Sequence, residues 1–271
     1  MIKIEKIAVH KKKKNYFTLQ YKRNDGDEGF FDVHEDVLVA RALQKDMTLD
    51  ERLFQEIIQM EKANAIYQTA LRYLGIRMRT IKEMETYLIG KGYDHEQIKA
   101  AIERLKAENL LNDRDFAGAF VRSRMRVTDK GPAYIFQELR QKGVEAAIAH
   151  AALEVFTDDD QYHHAKKFAD KKVRTMRGES HAEKKRKLAG ALAQKGFNRE
   201  IVTSVLESLA DRDSDEEWEA IVRQGAKAEA KFSKWDEPER LQKIRQFLFR
   251  KGFSNAVIDR YIDQRDDLNL S

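Results

Sequence analysis

The residues best able to do chemistry in this chain are cations set at helical spacings. Lys166, Lys167, Lys171, Lys172, Arg174 and Arg177 are followed by Lys184, Lys185, Arg186 and Lys187, with only Asp170, Glu179 and Glu183 interrupting. Lys167, Lys171 and Arg174 fall on one helical face, and Lys166 and Lys172 share another less closely. Such a stripe can follow a phosphate backbone, with binding that weakens steeply as salt rises. A plain solvated helix carries the same residues; phosphate contact is the favoured reading. Arg122, Arg124 and Arg126 are spaced by two, so only Arg122 and Arg126 point together. No ladder of aromatics accompanies the lysine cluster, which argues against sequence-specific reading.

The groups that support catalysis are missing or badly placed. The chain has no cysteine, which excludes disulfides, thiolate metal sites and a cysteine nucleophile. His163 and His164 are adjacent, so a helix points them about 100° apart, wrong for a shared metal. His150 and His181 lack a His-x-x-x-His partner, and no Walker A loop, dinucleotide fingerprint or Gly-x-Ser-x-Gly elbow occurs. The expectation is a protein without enzymatic activity, with no catalytic, cofactor-binding or metal residues and no cofactor.

Composition agrees with a helical binder. Among 271 residues there are 51 Lys and Arg, 46 Asp and Glu and only two prolines, and 36% of residues are charged. The net charge of +5 is too small to name a partner. Its distribution is more telling: residues 61–130 carry 14 basic and 10 acidic groups, and residues 131–210 carry 14 and 11. The first sixty residues are balanced, and residues 211–271 are acidic. No apolar run approaches the roughly 18 residues of a membrane span, so a cytoplasmic monomer with no membrane contact is expected.

The elements that must position these cations are of two kinds. Ile2, Ile4, Ile7 and Val9 read as a strand with one parity shift, a bulge. Phe17, Leu19 and Tyr21 alternate as a second strand, and Phe30, Phe31 and Val33 follow the turn Asn24-Asp25-Gly26-Asp27 as a third. The Lys11–Lys14 run lies in the first hairpin loop and is read as a solvated tip in preference to a nucleic-acid or localisation patch. From about His34 the chain turns helical, with Asp36, Asp46 and Asp50 as helix-start residues and Thr48 as a helix cap.

The remainder repeats. Leu-x-x-Lys-Gly-Φ, with Φ apolar or aromatic, occurs at Leu88–Tyr93, Leu139–Val144, Leu192–Phe197 and Leu248–Phe253. Each Lys suits the negative end of a helix, each Gly suits the left-handed C′ position, and Φ folds back in Schellman fashion. Asp94, Asn198 and Ser254 then cap a following helix, Asp94 with Gln97 as a capping box; Glu145 stands at the fourth position. Four residues before each Leu lie Met84, Ile135, Leu188 and Ile244, one apolar face. A further helix precedes each pair, at Ala65–Leu74, Asp115–Arg126, Tyr162–Met176 and Trp218–Ala230. Pro132 and Pro238 sit where helices start. The fold class expected is mainly α: an elongated tandem array of three-helix repeats at 61–110, 111–156, 157–210 and 211–271, behind a β-rich extension at 1–60.

The stretch Asn112-Asp113-Arg114-Asp115-Phe116-Ala117, then Phe120-Val121-Arg122-Ser123-Arg124, Lys130-Gly131-Pro132, Glu138-Leu139 and Lys142-Gly143-Val144, resembles the signature of the RecX family. Arg79-Thr80 with Glu83-Met84 resembles the start of that family's first unit. The resemblance covers roughly residues 70–265 and is most specific over 110–145. It implies tandem three-helix repeats, normally three, so this chain has a fourth. It also implies a regulator of DNA repair, recombination and the SOS response that binds the RecA recombinase and its filament on single-stranded DNA, usually inhibiting it. Single-stranded DNA itself is a possible direct partner. The contact candidates are then Arg122, Arg124, Arg126, Lys130, Lys142, Lys166, Lys167, Lys171, Lys172, Arg174, Lys184 and Lys185. Asp113 and Phe116 are read as structural. The alternative is a stand-alone nucleic-acid-binding helical protein that does not act through RecA.

Overall fold

The computed structural model describes residues 1–209 and 214–268, with side chains omitted at 214–215 and 266–268. Among them are thirteen helices and four strands, a mostly helical chain with a small N-terminal sheet. The chain divides into two compact units, Met1–Ala117 with Gln141–Ile148, and Gly118–Arg140 with Ala149–Ser271. The repeat boundary expected at 210/211 lies outside the described residues.

In the first unit, β1 (Ile2–Val9), β2 (Tyr16–Arg23) and β3 (Glu28–His34) form antiparallel hairpins, and with β4 (Thr48–Leu49) the sheet order is β3-β2-β1-β4. The parity shift in β1 is a register break between Ile4 and Lys6, which returns Ile7 to the inner face. The short strand β4 (Thr48–Leu49) pairs with β1 and corrects the reading of Thr48 as a helix cap. Asp50 takes that role for α2 (Glu51–Leu74), accepting from Leu53 N at 2.7 Å. Asp46 is likewise no helix start: it sits at φ 66° in the turn before β4 and pairs with Lys3. His34 caps the short α1 (Glu35–Ala40).

Helix α2 has no Gly or Pro to stop it, and it serves two cores in succession. Phe54 and Ile57 pack under the sheet with Ile2, Ile4, Leu19, Val33 and Leu49. Three turns on, Ile66, Tyr67 and Ala70 pack against Met84 and Leu88 of α3 (Ile81–Gly90) and Ile98, Ile102 and Leu105 of α4 (His95–Ala107). The helix expected at Ala65–Leu74 is thus the second half of a longer one.

Three further sets of three helices follow. They are α5 (Asp113–Val127), α6 (Pro132–Gln141) and α7 (Ala146–Leu153); then α8 (Asp158–Val173), α9 (His181–Gln194) and α10 (Arg199–Glu207); then α11 (Ser214–Phe232), α12 (Glu237–Arg250) and α13 (Asn255–Leu268). In the second unit, Ala165, Ala169, Leu188, Leu192 and Val205 form one core, and Ile221, Ala228, Ile244, Leu248 and Tyr261 form another. The middle helices differ in length: α3 and α6 have 10 residues, whereas α9 and α12 have 14. The extra turn lies at the N-terminus, because the distance from the shared apolar positions to the Lys-Gly end is the same in all four.

Those ends have the geometry the repeat implies. Gly92, Gly143, Gly196 and Gly252 lie at φ between 85° and 89°, the left-handed region. Tyr93, Phe197 and Phe253 each donate a backbone N–H to the Leu five residues earlier, which closes the Schellman turn.

Candidate nucleic-acid interface

Helix α8 concentrates its charge at both ends. Thr157 caps it, Asp158, Asp159 and Asp160 fill its first turn and Lys171 and Lys172 its last, so each sign sits where the helix dipole favours it. Lys167, Lys171, Lys172 and Arg174 are exposed, and none makes an ion pair or side-chain hydrogen bond among the described residues. Lys185 on α9 is also exposed. Lys166 differs: its ammonium donates to Ser208 Oγ at 3.0 Å, which draws it towards α10.

Lys184 is a correction. Its side chain is buried, and its ammonium lies 2.9 Å from Glu216 Oε2 on α11. Position 184 is one helical turn before the core residue Leu188, so it faces inward, and its hydrogen bond holds the Glu216 carboxyl below the usual range. It is a structural ion pair and not part of the exposed stripe. Next to it is a cavity of about 230 Å³ lined by Asp170, Arg174, His181 and Lys185 among others. A second, of about 390 Å³, has Arg174, Arg177 and Arg223 opposite Glu216 and Glu219. Both have walls of mixed sign.

On α5, Arg122 and Arg126 are exposed, as their four-residue spacing requires. Arg124 turns to α6 and meets Glu138 Oε2 at 2.8 Å. The Lys130 ammonium lies 3.7 Å from the Tyr134 ring centroid, a cation–π contact. Lys142 reaches Glu83 at 3.1 Å. The candidates therefore separate into an exposed group (Arg122, Arg126, Lys167, Lys171, Lys172, Arg174 and Lys185) and a group held by neighbouring side chains. His163 is exposed, 3.5 Å from Asp159, and the described residues hold no cluster of three or more His, Asp or Glu suited to a metal.

The residues that position these surfaces include two hydroxyls that the composition does not single out. Thr80 Oγ1 accepts from Glu83 N at 3.1 Å, capping α3, and donates to the Lys142 carbonyl at 2.7 Å. Ser180 Oγ accepts from Glu183 N at 3.2 Å, capping α9, and donates to the Lys251 carbonyl at 2.6 Å. At α6 the first helical residue is Pro132, and its flanking N–H groups do the same work: Gly131 N donates to Lys195 O at 2.7 Å and Ala133 N to Gly196 O at 3.1 Å. Three times, then, the start of a middle helix meets the Lys-Gly turn of the next helix set. Unpaired carbonyls at a helix end are satisfied by donors at a helix start, and the two dipole ends attract. Ser/Thr-x-x-Glu at 80–83 and 180–183 was the available signal, but it announces only the local cap.

Asp113 adds to the first of these junctions. Asn112 Oδ1 accepts from Arg114 N at 2.9 Å at the start of α5, which leaves the Asp113 carboxylate to accept from Ile81 N at 2.9 Å. Burial pushes the Asp113 carboxyl up, against that hydrogen bond. At Glu83 burial acts in the same direction, but hydrogen bonds from Arg77 and Lys142 outweigh it and hold the carboxyl below its usual range. Phe116 is buried.

Family models for the first, second and third three-helix domains of RecX match residues 67–105, 112–153 and, twice over, 158–206 and 215–262. The chain belongs to the RecX family. The Regulatory protein RecX of Geobacillus sp. (strain WCH70) is 33% identical over 261 residues, covering 96% of each chain. That of Oceanobacillus iheyensis is 35% identical over 267 residues, covering 97% of this chain and 98% of its own. A crystal structure of regulatory protein RecX superposes with a TM-score of 0.67 at 29% identity, covering 76% of this chain and all of that one. RecX from Lactobacillus salivarius gives 0.54 at 32% identity, over 55% of this chain and 96% of its own. The double match of the third-domain model agrees with the shared 14-residue length of α9 and α12.

Proposed function

We propose that this chain binds the RecA recombinase and its filament on single-stranded DNA, and lowers the filament's ATP hydrolysis and strand exchange in DNA repair and recombination. Membership of a regulatory family supports the class of activity. The observation that carries the contact is the set of exposed cations Lys167, Lys171, Lys172 and Arg174 at the end of α8, which have no partner among the described residues. Amines without carboxylate partners lose little on meeting a phosphate or an acidic protein surface, and Arg offers a fork to either. Arg122 and Arg126 supply a second such pair. The four helix sets, taken as repeats at 61–110, 111–156, 157–210 and 211–271, are the scaffold of this reading.

The test is RecA's DNA-dependent ATPase and strand exchange with and without the purified protein. Inhibition at or below stoichiometric ratios is expected, and no effect there sinks the proposal. The triple change Lys167→Glu, Lys171→Glu, Arg174→Glu should weaken filament association and flatten its salt dependence. Sequence-selective binding to duplex DNA without RecA would instead point to the stand-alone DNA binder.

A further inference from the structure

We propose that the outer face of the N-terminal sheet, with the β1–β2 loop, is a platform for single-stranded nucleic acid. This goes beyond the filament reading, since it needs no recombinase, and it concerns residues that precede all three family-model matches.

The face follows from strand alternation. With Ile2, Ile4 and Ile7 turned to the core, β1 presents Lys3, Lys6 and Ala8 outward. The registers place Lys6 beside Gln20 and Gln20 beside Phe30 in one row across three strands. Phe30 is 68% exposed while its neighbour Phe31 packs inside, and no helix covers it. A lone exposed Phe is unremarkable by itself. Here it shares a row with Gln20 and Lys6, whose amine makes no ion pair among the described residues, and the next row on the same face ends at Asp32, which binds the β1–β2 loop through Lys13.

That loop is built, which changes the weight of the Lys11–Lys14 run. His10 Nδ1 accepts from Lys12 N at 3.0 Å and Lys13 N at 2.9 Å. Asp32 then gathers His10 Nε2 at 3.3 Å, the Lys13 ammonium at 2.9 Å and the Thr18 hydroxyl at 2.8 Å. Asp32 so holds the loop against the sheet and neutralises Lys13 alone. Lys11, Lys12 and Lys14 remain exposed, without a partner among the described residues. A fixed loop with three free amines offers phosphate contacts with little ordering left to do, and the Phe30 ring offers a stacking surface to any base. A protein partner fits the face less well, because lysines are depleted from interface cores and only one large apolar side chain is on offer.

The experiment is binding of a fluorescein-labelled dT20 oligonucleotide to the full chain, without recombinase, between 50 and 200 mM salt. Phe30→Ala should weaken binding on the order of tenfold, the loss of one stacked base. The triple change Lys11→Gln, Lys12→Gln, Lys14→Gln should reduce the slope of log K against log salt by about 2. Photocrosslinking to a bromodeoxyuridine oligonucleotide should mark the peptide containing Phe30. All four positions are exposed, so circular dichroism should be unchanged. No oligonucleotide binding by the parent chain overturns the proposal. So do parental affinity in both variants, crosslinks confined to α8, or sheet variants that lose only a protein partner. RecA inhibition measured on the same variants separates the two readings: sheet variants that lose the oligonucleotide but still inhibit leave the filament reading intact, and failed inhibition by a parent that binds the oligonucleotide through Phe30 leaves this one.

Discussion

Thr80 and Ser180 each use one oxygen twice, accepting from the N–H of their own helix and donating to a carbonyl of the next helix set. Removing such a hydroxyl deletes a cap and a hydrogen bond to the next helix set. Thr80→Val should therefore cost about 2 kcal/mol, read as a lower denaturant midpoint, and Thr80→Ser should restore most of it. Glu83 beside it makes a pH prediction. Its carboxyl is depressed in the folded chain, so its stabilising contribution is present above the ordinary carboxylate pKa and is lost as pH falls through the folded value. Glu83→Gln should lower stability at neutral pH, with the difference from the parent shrinking in acid, as followed by helical circular dichroism across a pH series. Asp113 works with the opposite sign, because burial raises its carboxyl.

At the scale of elements, the four glycine turns separate into one open turn and three occupied ones. Around Gly92 a Cβ would meet nothing within 4 Å, whereas on Gly196 it would lie 2.5 Å from Tyr134 N. Gly92→Ala should then cost only the left-handed penalty, about 1 kcal/mol. Gly196→Ala should cost that plus about 1–3 kcal/mol for forcing apart the start of α6, a difference that paired thermal melts would show; equal losses would contradict the docking. The turns themselves were legible as Leu-x-x-Lys-Gly-Φ because a helix C-cap is written in six neighbouring residues. Their occupancy was not, since Thr80 and Lys142 are 62 positions apart. The short β4 escaped for a similar reason: two residues carry no periodicity, and only pairing with β1 makes them a strand.

At the scale of the whole chain, the last helix set closes differently from the others. Asp236, at the start of α12, makes no side-chain cap bond. Glu237 and Glu229 instead gather Arg240 and Arg265, so the start of α12 is held by ion pairs within its own helix set. The same set supplies Glu216 to Lys184 and the Lys251 carbonyl to Ser180. Deleting residues 211–271 should therefore destabilise the α8–α10 core by on the order of 1–3 kcal/mol, measured by hydrogen exchange at Leu188 and Leu192. Exchange at Ile2 and Ile4, which pack in the sheet core, should stay as in the parent.

The sequence alone determined the helical class, the three-stranded start, the repeated turn and the family, because each is carried by neighbouring residues or by a short motif. It also determined which cations could share a helical face. Tertiary structure decided which of them remain available. Lys184 and Lys167 look alike in the sequence, yet one is buried against Glu216 and the other is exposed without a partner among the described residues. Helical spacing fixes the direction of a side chain around its own axis. What lies in that direction depends on packing between segments distant in sequence, and that separates a structural ion pair from a binding surface.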